Sequence, residues 1–458
     1  MKESSLLLVY LILAGLELAM NLWLGFLNYR RLKRHAGMVP DTLKGAVSPE
    51  EAAKSASYSL ARMRFALLEG SLGDLLLMVL AAAGFFGFFD LVTGIWTSKL
   101  GGTAYVHAAL FLFLLAGAQE MLSMPFSLYS SFNLEKRYGF NTMNLRTWFL
   151  DELKELLIAL LLGLPLLALF CWFMGAAGKL WWLWAAAVFS ALDLLVSVLY
   201  PLLIAPLFNK FGPLPDGSLK SRIEKMASLL KFKMNGIYVM DGSKRSKHSN
   251  AYFTGLGGAK RVVLYDTLVN SMSGDEILAV LGHEIGHEKR KHIIKMTCAS
   301  VALSFAGFYA LSLLAAWPEL YAAFGFVKDG APALSVEALL LIFSLLSGPV
   351  SFFFTPLFSI WSRKHEYEAD RFAVGAVNRL AAECPAEDGG SGEAASHAGS
   401  AGAGTAGRPL SPGAAALSSA LIKLGKENAS NLWPHPVYSF WYNSHPTLVE
   451  RLDAVSSV

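Results

Sequence analysis

Apolar residues run along this chain in long blocks, not in the short alternations of a water-soluble domain. A helix needs roughly 20 apolar residues to cross a bilayer. Seven segments reach that length: 6–27, 76–97, 104–126, 156–176, 180–207, 296–317 and 339–361. Between and after them lie a polar stretch over 28–67, a mixed stretch over 208–295, and a tail beyond 361. Within 208–295 the pattern changes. Residues 218–231 read as a helix. Three short runs, 236–240, 251–253 and 261–265, read as strands separated by glycine-rich turns. The run Ile277 to Leu281, following Gly274-Asp275-Glu276, predicts another helix. Ser48-Pro49-Glu50-Glu51 reads as a helix start capped by Ser48. Ser444 to Leu452 reads as a capped helix with Pro446 in its first turn. Residues 385–412 are rich in Gly, Ala and Ser and read as a flexible, cytoplasmic insertion, dispensable for chemistry. No internal repeat is visible.

The expected fold is therefore mainly α: a polytopic membrane protein with a small α+β domain. Its expected divisions are 1–207 (spans one to five), 208–295 (soluble block), 296–361 (spans six and seven), 362–384, 385–412 (insertion) and 413–458.

Composition agrees. Of 458 residues, 54% are hydrophobic and 16% charged, where a soluble domain carries about 25% charged residues. The first block is too long for a cleaved signal peptide, and its basic cluster follows it instead of preceding it. Cys171, Cys298 and Cys384 have no CxxC spacing and read as packing residues. A net charge of +4 gives no nucleic-acid signal. The distribution of positive charge is more informative. Arg30, Arg31, Lys33 and Arg34 follow the first block. Lys136, Arg137 and Arg146 lie between the third and fourth, Lys289 to Lys295 abut the sixth, and Arg363 and Lys364 follow the seventh. The opposite loops hold only Lys2, Lys99, Lys179 and Lys328. The positive-inside rule then places the N-terminus outside and the C-terminus in the cytoplasm.

The chemistry concentrates at His283-Glu284-Ile285-Gly286-His287. Residues four apart share a helix face, so His283 and His287 can hold one zinc ion. Glu284 can then reach a water at the open position as general base. A third ligand is needed. Glu366 and Asp370, one helical turn apart, are candidates: Glu366 as ligand, Asp370 behind a ligating histidine. Glu368 and His365 compete with Glu366, and a solvated charged helix is an equal reading of this segment. His445 and Arg451 could reach the site as oxyanion donors, or be a capping loop and a surface arginine. Strand 251–253 could present an edge to an extended peptide. Glu17, Asp74, His107, Glu120 and Asp193 lie within or at the ends of the apolar blocks, which favours a hydrated interior.

Together these residues resemble the type I CAAX prenyl endopeptidases, integral-membrane zinc proteases. The likeness extends beyond HExxH to Asn250-Ala251-Tyr252-Phe253 with Lys260 to Leu268, Ser362 to Asp370, Ser444-His445-Pro446 with Glu450-Arg451-Leu452, and Pro125 to Ser130 with Glu135 to Asn141. The resemblance implies seven transmembrane helices around an intramembrane chamber, capped by a zincin-like catalytic domain on the cytoplasmic side. It implies one Zn2+ per chain held by His283, His287 and Glu366, with Glu284 catalytic and Asp370 in support. It implies His445 and Arg451 as substrate or transition-state contacts, and Asn250, Ala251 and Tyr252 on the strand that grips substrate. The implied reaction removes the C-terminal tripeptide from a prenylated protein, with the lipid bilayer as the other partner and no oligomer required. A quality-control metalloprotease without a prenyl requirement is the alternative, and a transporter or scaffold with a structural zinc the more distant one. No dilysine retrieval signal is visible, so a bacterial cytoplasmic membrane is expected, or the endoplasmic reticulum in a eukaryotic host.

Overall fold

The computed structural model describes residues 3–254, 260–383 and 409–458. Among them, seven helices are long and apolar enough to cross a membrane. The first, α1 (Glu3–Arg34), ends in the basic cluster. Ser48 then caps α2 (Pro49–Ala82) through a reciprocal capping box with Glu51. The second crossing differs from its expected position. Residues 76–97 are two helices, because Gly84 adopts φ +68 and separates α2 from α3 (Phe85–Lys99). A left-handed glycine ends a helix whatever the hydropathy around it. The crossing is α2 itself, and it takes in residues 49–67 that read as part of a polar cytoplasmic stretch.

Next, α4 (Ala104–Tyr129) runs on through a π turn over Ser130–Glu135. Then come α5 (Leu145–Ala176) and α6 (Trp181–Leu199), the latter continuing through a second π turn over Tyr200–Ile204. The soluble block follows with β1 (Phe211–Pro213), α7 (Ser218–Leu229), β2 (Ile237–Met240), β3 (Ala251–Thr254) and β4 (Arg261–Tyr265). The sheet order is β1-β2-β4-β3, with β2 and β4 parallel and β3 antiparallel at one edge. Arg245 ties this block to α5 through two bonds to Asp151, of 2.8 and 3.0 Å.

The zinc-motif helix α8 (Gly274–Lys289) leads into α9 (His292–Ala315) across Lys291, which takes a left-handed φ of 57°. The long α10 (Val336–Glu383) has 48 residues, about 72 Å at 1.5 Å per residue. The expected boundary at 361 is therefore not a break: one helix leaves the membrane and carries the third-ligand segment with it. The last elements are α11 (Pro412–Glu427), α12 (Pro436–Tyr442) and α13 (Leu448–Ser456). Of the expected insertion, 385–408 lies outside the described residues, while Ser411 and Pro412 already cap and begin α11. The last helix also starts later than expected. Thr447 forms a capping box with Glu450, which leaves His445 and Pro446 in the preceding loop.

Apolar packing is concentrated at the two ends of the molecule. At the end away from the zinc motif, Tyr10, Phe86, Phe111, Phe170, Tyr321 and Ile342 form one core. At the other, Met226, Leu264, Leu278 and Leu281 join the sheet to α8, and Ala279, Val374 and Leu417 join α8, α10 and α11. Between these ends the spans are little covered. Gln119, Glu120 and Asp193 lie exposed on the midsections of α4 and α6. Charges at that depth belong against water, not lipid.

Candidate metal centre

Helix α8 begins where Ser273 and Glu276 cap each other, and Glu276 also accepts from Ser419 and Lys423 of α11. Most of its residues from Glu276 to Gly286 are buried, so the helix is a core element and not an exposed one. Its partner is α10. A Cβ placed on Gly282 would come within 3.2 Å of Ala373 Cα, and one on Gly286 within 3.1 Å of Ala369 Cα. The two backbones therefore touch along a stripe of small residues, which sets the distance from His283 and His287 to Glu366 and Asp370. Gly286→Val should destabilise the protein by about 1–3 kcal/mol through overpacking and lower its zinc occupancy. Thermal unfolding and metal analysis check this; unchanged values in both would contradict it.

The close crossing brings three donors together. His287 Nε2 lies 3.1 Å from His283 Nε2, His283 Nε2 lies 3.5 Å from Glu366 Oε2, and His287 Nε2 lies 3.4 Å from Glu366 Oε1. Zinc bonds nitrogen and carboxylate oxygen at about 2.0–2.2 Å, and the edge of such a tetrahedron is about 3.3–3.6 Å. The donor set, its neutral–neutral–anionic character and its spacing all fit zinc. His283 and Glu366 are 8% and 4% exposed, so a carboxylate here needs a cationic partner. His445 Nδ1 is 2.8 Å from Glu366 Oε2.

Each histidine is also held from behind. His283 Nδ1 meets Asp370 Oδ1 at 2.8 Å. Arg451 in turn donates from Nε and Nη2 to Asp370 at 2.9 and 2.6 Å. Arg451 thus has a supporting task; its Nη2 also lies 3.4 Å from His283 Nδ1, and its Nη1 is 3.9 Å from Glu366. His287 Nδ1 faces His292 Nδ1 at 3.2 Å, and His292 Nε2 faces Glu368 Oε2 at 3.1 Å. The competing ligands are placed by the same contacts: Glu368 pairs with His292, and His365 stacks on the His292 ring. Half-buried Glu284 makes no side-chain hydrogen bond or ion pair among the described residues. Burial pushes its carboxyl above the ordinary range, against the lowering effect of His283 and His287. His445 is largely exposed.

The strand residues sit beside this centre. β3 is an outer strand that packs against α8. Ala251 is buried, Tyr252 is half-buried opposite Val263, and the Asn250 side chain accepts from the Ala251 N–H.

His292, Gly282 and Gly286 were missed by reasoning from the sequence. The glycines four apart were a readable signal of close helix contact. His292 had none, since five residues from His287 it would point elsewhere on an unbroken helix. A second trio, Asp90, His107 and Glu337, gathers at the opposite end of the bundle. Here one ring bridges two acids: His107 Nε2 is 3.3 Å from Asp90 and its Nδ1 3.4 Å from Glu337. Its two ring nitrogens, turned to opposite sides, tie α3, α4 and α10 together.

Residues 28–210 match the family model described as CAAX prenyl protease N-terminal, five membrane helices. Residues 213–458 match that of peptidase family M48. The CAAX prenyl protease 1 homolog of Arabidopsis thaliana is 34% identical over 448 residues, 96% of either chain. CAAX prenyl protease 1 of Saccharomyces cerevisiae is 33% identical over 481 residues, 98% of this chain and 95% of that one. The crystal structure of S. mikatae Ste24p aligns with a TM-score of 0.84 at 31% identity, over 98% of this chain and 99% of that one.

Proposed function

This chain belongs to peptidase family M48, among the membrane zinc metalloproteases of the CAAX prenyl protease 1 type, and from that premise we propose that His283, His287 and Glu366 hold the zinc and Glu284 is the general base. The observation that carries this reading is the triangle of donors 3.1–3.5 Å apart beside an acid with no structural partner. Zinc held there would supply Lewis acidity to the scissile carbonyl and to the attacking water.

The chain's own residues do the rest. Glu284 takes a proton from the attacking water as the water oxygen bonds to the carbonyl carbon. When the carbon–nitrogen bond breaks, Glu284 gives that proton to the leaving amine. A carboxyl raised by burial is better matched to both transfers than one at its ordinary value. His445, exposed beside Glu366, and Nη1 of Arg451, 3.9 Å from Glu366, are the donors available to a developing oxyanion. The outer N–H and C=O groups of β3 grip substrate backbone through Asn250, Ala251 and Tyr252 by adding an extended peptide to the sheet.

The relatives carry the name CAAX prenyl protease. On that likeness the substrate is a prenylated C-terminus, and the product a tripeptide released after the modified cysteine. Basic clusters at the end of α1, after the π turn that follows α4 and at the end of α8 support a site on the cytoplasmic side. A second reading, general trimming of membrane proteins, is supported by the β3 edge, which pairs with any extended backbone. The two are separated by kcat/KM on matched peptides. A farnesylated CAAX peptide should be cleaved at least about tenfold more efficiently than its unmodified form, since one factor of ten needs only about 1.4 kcal/mol of apolar contact. Equal rates would favour general trimming.

A further inference from the structure

The two metal-holding histidines are supported in different ways. His283 leans directly on a carboxylate, Asp370. His287 reaches its carboxylate only through another ring. We propose that His292, itself held by Glu368, is the positioning residue for His287; this rests on His283, His287 and Glu366 holding zinc.

Protonation logic fixes the direction of the chain. His287 presents Nε2 to the other donors, 3.1 Å from His283 and 3.4 Å from Glu366. A nitrogen that ligates a metal carries no proton, so the His287 proton sits on Nδ1. That N–H donates to His292 Nδ1, 3.2 Å away. His292 Nδ1 must then be the bare nitrogen, so its proton is on Nε2 and donates to Glu368 Oε2 at 3.1 Å. Each group has one role it can play, and the three agree.

The backbone is shaped for this contact. On a continuous helix, residues five apart point about 140° away from each other. Lys291 interrupts the helix with φ 57°, and this turn brings the first residue of α9 back against α8. A non-glycine residue in that conformation costs free energy, and such strain persists where the surroundings impose it. His292 is 1% exposed. Its ring is clamped by the parallel ring of His365, 4.0 Å away at 12°, which sits next to Glu366 in sequence. A neutral ring between His287 and Glu368 also orients the ligand without placing another full negative charge against a site that already holds Glu284, Glu366 and Asp370.

The test uses the full-length chain in bilayer or detergent, with His292→Phe, His292→Gln and Glu368→Ala. Zinc affinity is measured by competition with a chelator, alongside thermal unfolding, and kcat and KM are measured at saturating zinc. Losing an outer partner of a ligating histidine costs roughly 10–100-fold in metal affinity. His292→Phe should fall by that factor and lose kcat with KM little changed. His292→Gln keeps one acceptor and one donor and should recover most of the loss. Glu368→Ala should weaken zinc in the same direction by less. If the Phe variant does not fold, the Gln and Glu368 variants decide the matter. Wild-type zinc affinity in folded Phe and Ala variants, or equal losses for Phe and Gln, would overturn the proposal. Absence of competable zinc in the wild-type chain would instead overturn the ligand assignment beneath it.

Discussion

Glu284→Gln should lower kcat by roughly 10²–10⁴-fold, the usual contribution of a positioned general base, and leave zinc binding intact. The side chain lies next to His283 in sequence but makes no hydrogen bond or ion pair among the described residues, so nothing structural depends on its charge. Glutamine keeps the shape and cannot accept the proton. The proposed ligands His283, His287 and Glu366 are untouched, and their contacts through Asp370, Arg451 and His292 do not run through Glu284. Zinc content and melting temperature should therefore match wild type while turnover collapses. Near-normal turnover in a zinc-loaded Gln variant would remove Glu284 from the chemistry.

A still deeper loss is expected for Glu366→Ala, because it removes an anionic ligand instead of a base. The two remaining donors are neutral imidazoles. Zinc affinity should drop by more than the roughly 10–100-fold caused by loss of an outer partner, and cleavage should be undetectable at ordinary zinc concentrations. Glu366 also lies beside His445, so that side chain loses its carboxylate neighbour in the same step, while Arg451 keeps Asp370. Glu366→Asp is the informative companion. It keeps the charge but withdraws the oxygens by one methylene, and should retain more zinc than Ala. If Ala and wild type bound zinc equally, the third ligand would have to be another residue, with His445 the nearest candidate.

The parts of this molecule that were readable from its residues share one property: they depend on local pattern. Period and composition reveal strands at 236–240, 251–253 and 261–265, each within a residue of the observed ones, and the helix start at Ser48. Seven crossings follow from apolar length, which counts spans well. It locates turns poorly, because Gly84 sits inside an apolar run and breaks it through backbone conformation alone. The same limit applies at Lys291, an ordinary lysine whose φ of 57° can be imposed only by what packs around it. Thr447 competes with Ser444 as a cap, and its reciprocal partner Glu450 decides the outcome. In the site, HExxH announces itself. The choice of Glu366 over Glu368 does not, since the two differ by 200° around one helix and only the crossing of α8 and α10 settles which face meets the histidines. His292 reaches His287 only after a chain reversal, so no spacing rule could have identified it.

The most direct test of the account is cleavage of a farnesylated CAAX peptide by the purified full-length chain before chelation, after chelation and after zinc is restored, with products identified by mass. The account predicts release of the C-terminal tripeptide, its loss when zinc is stripped, and its return with about one zinc per chain, as a single tetrahedral site requires. Tripeptide release that continues in fully metal-free protein would contradict it.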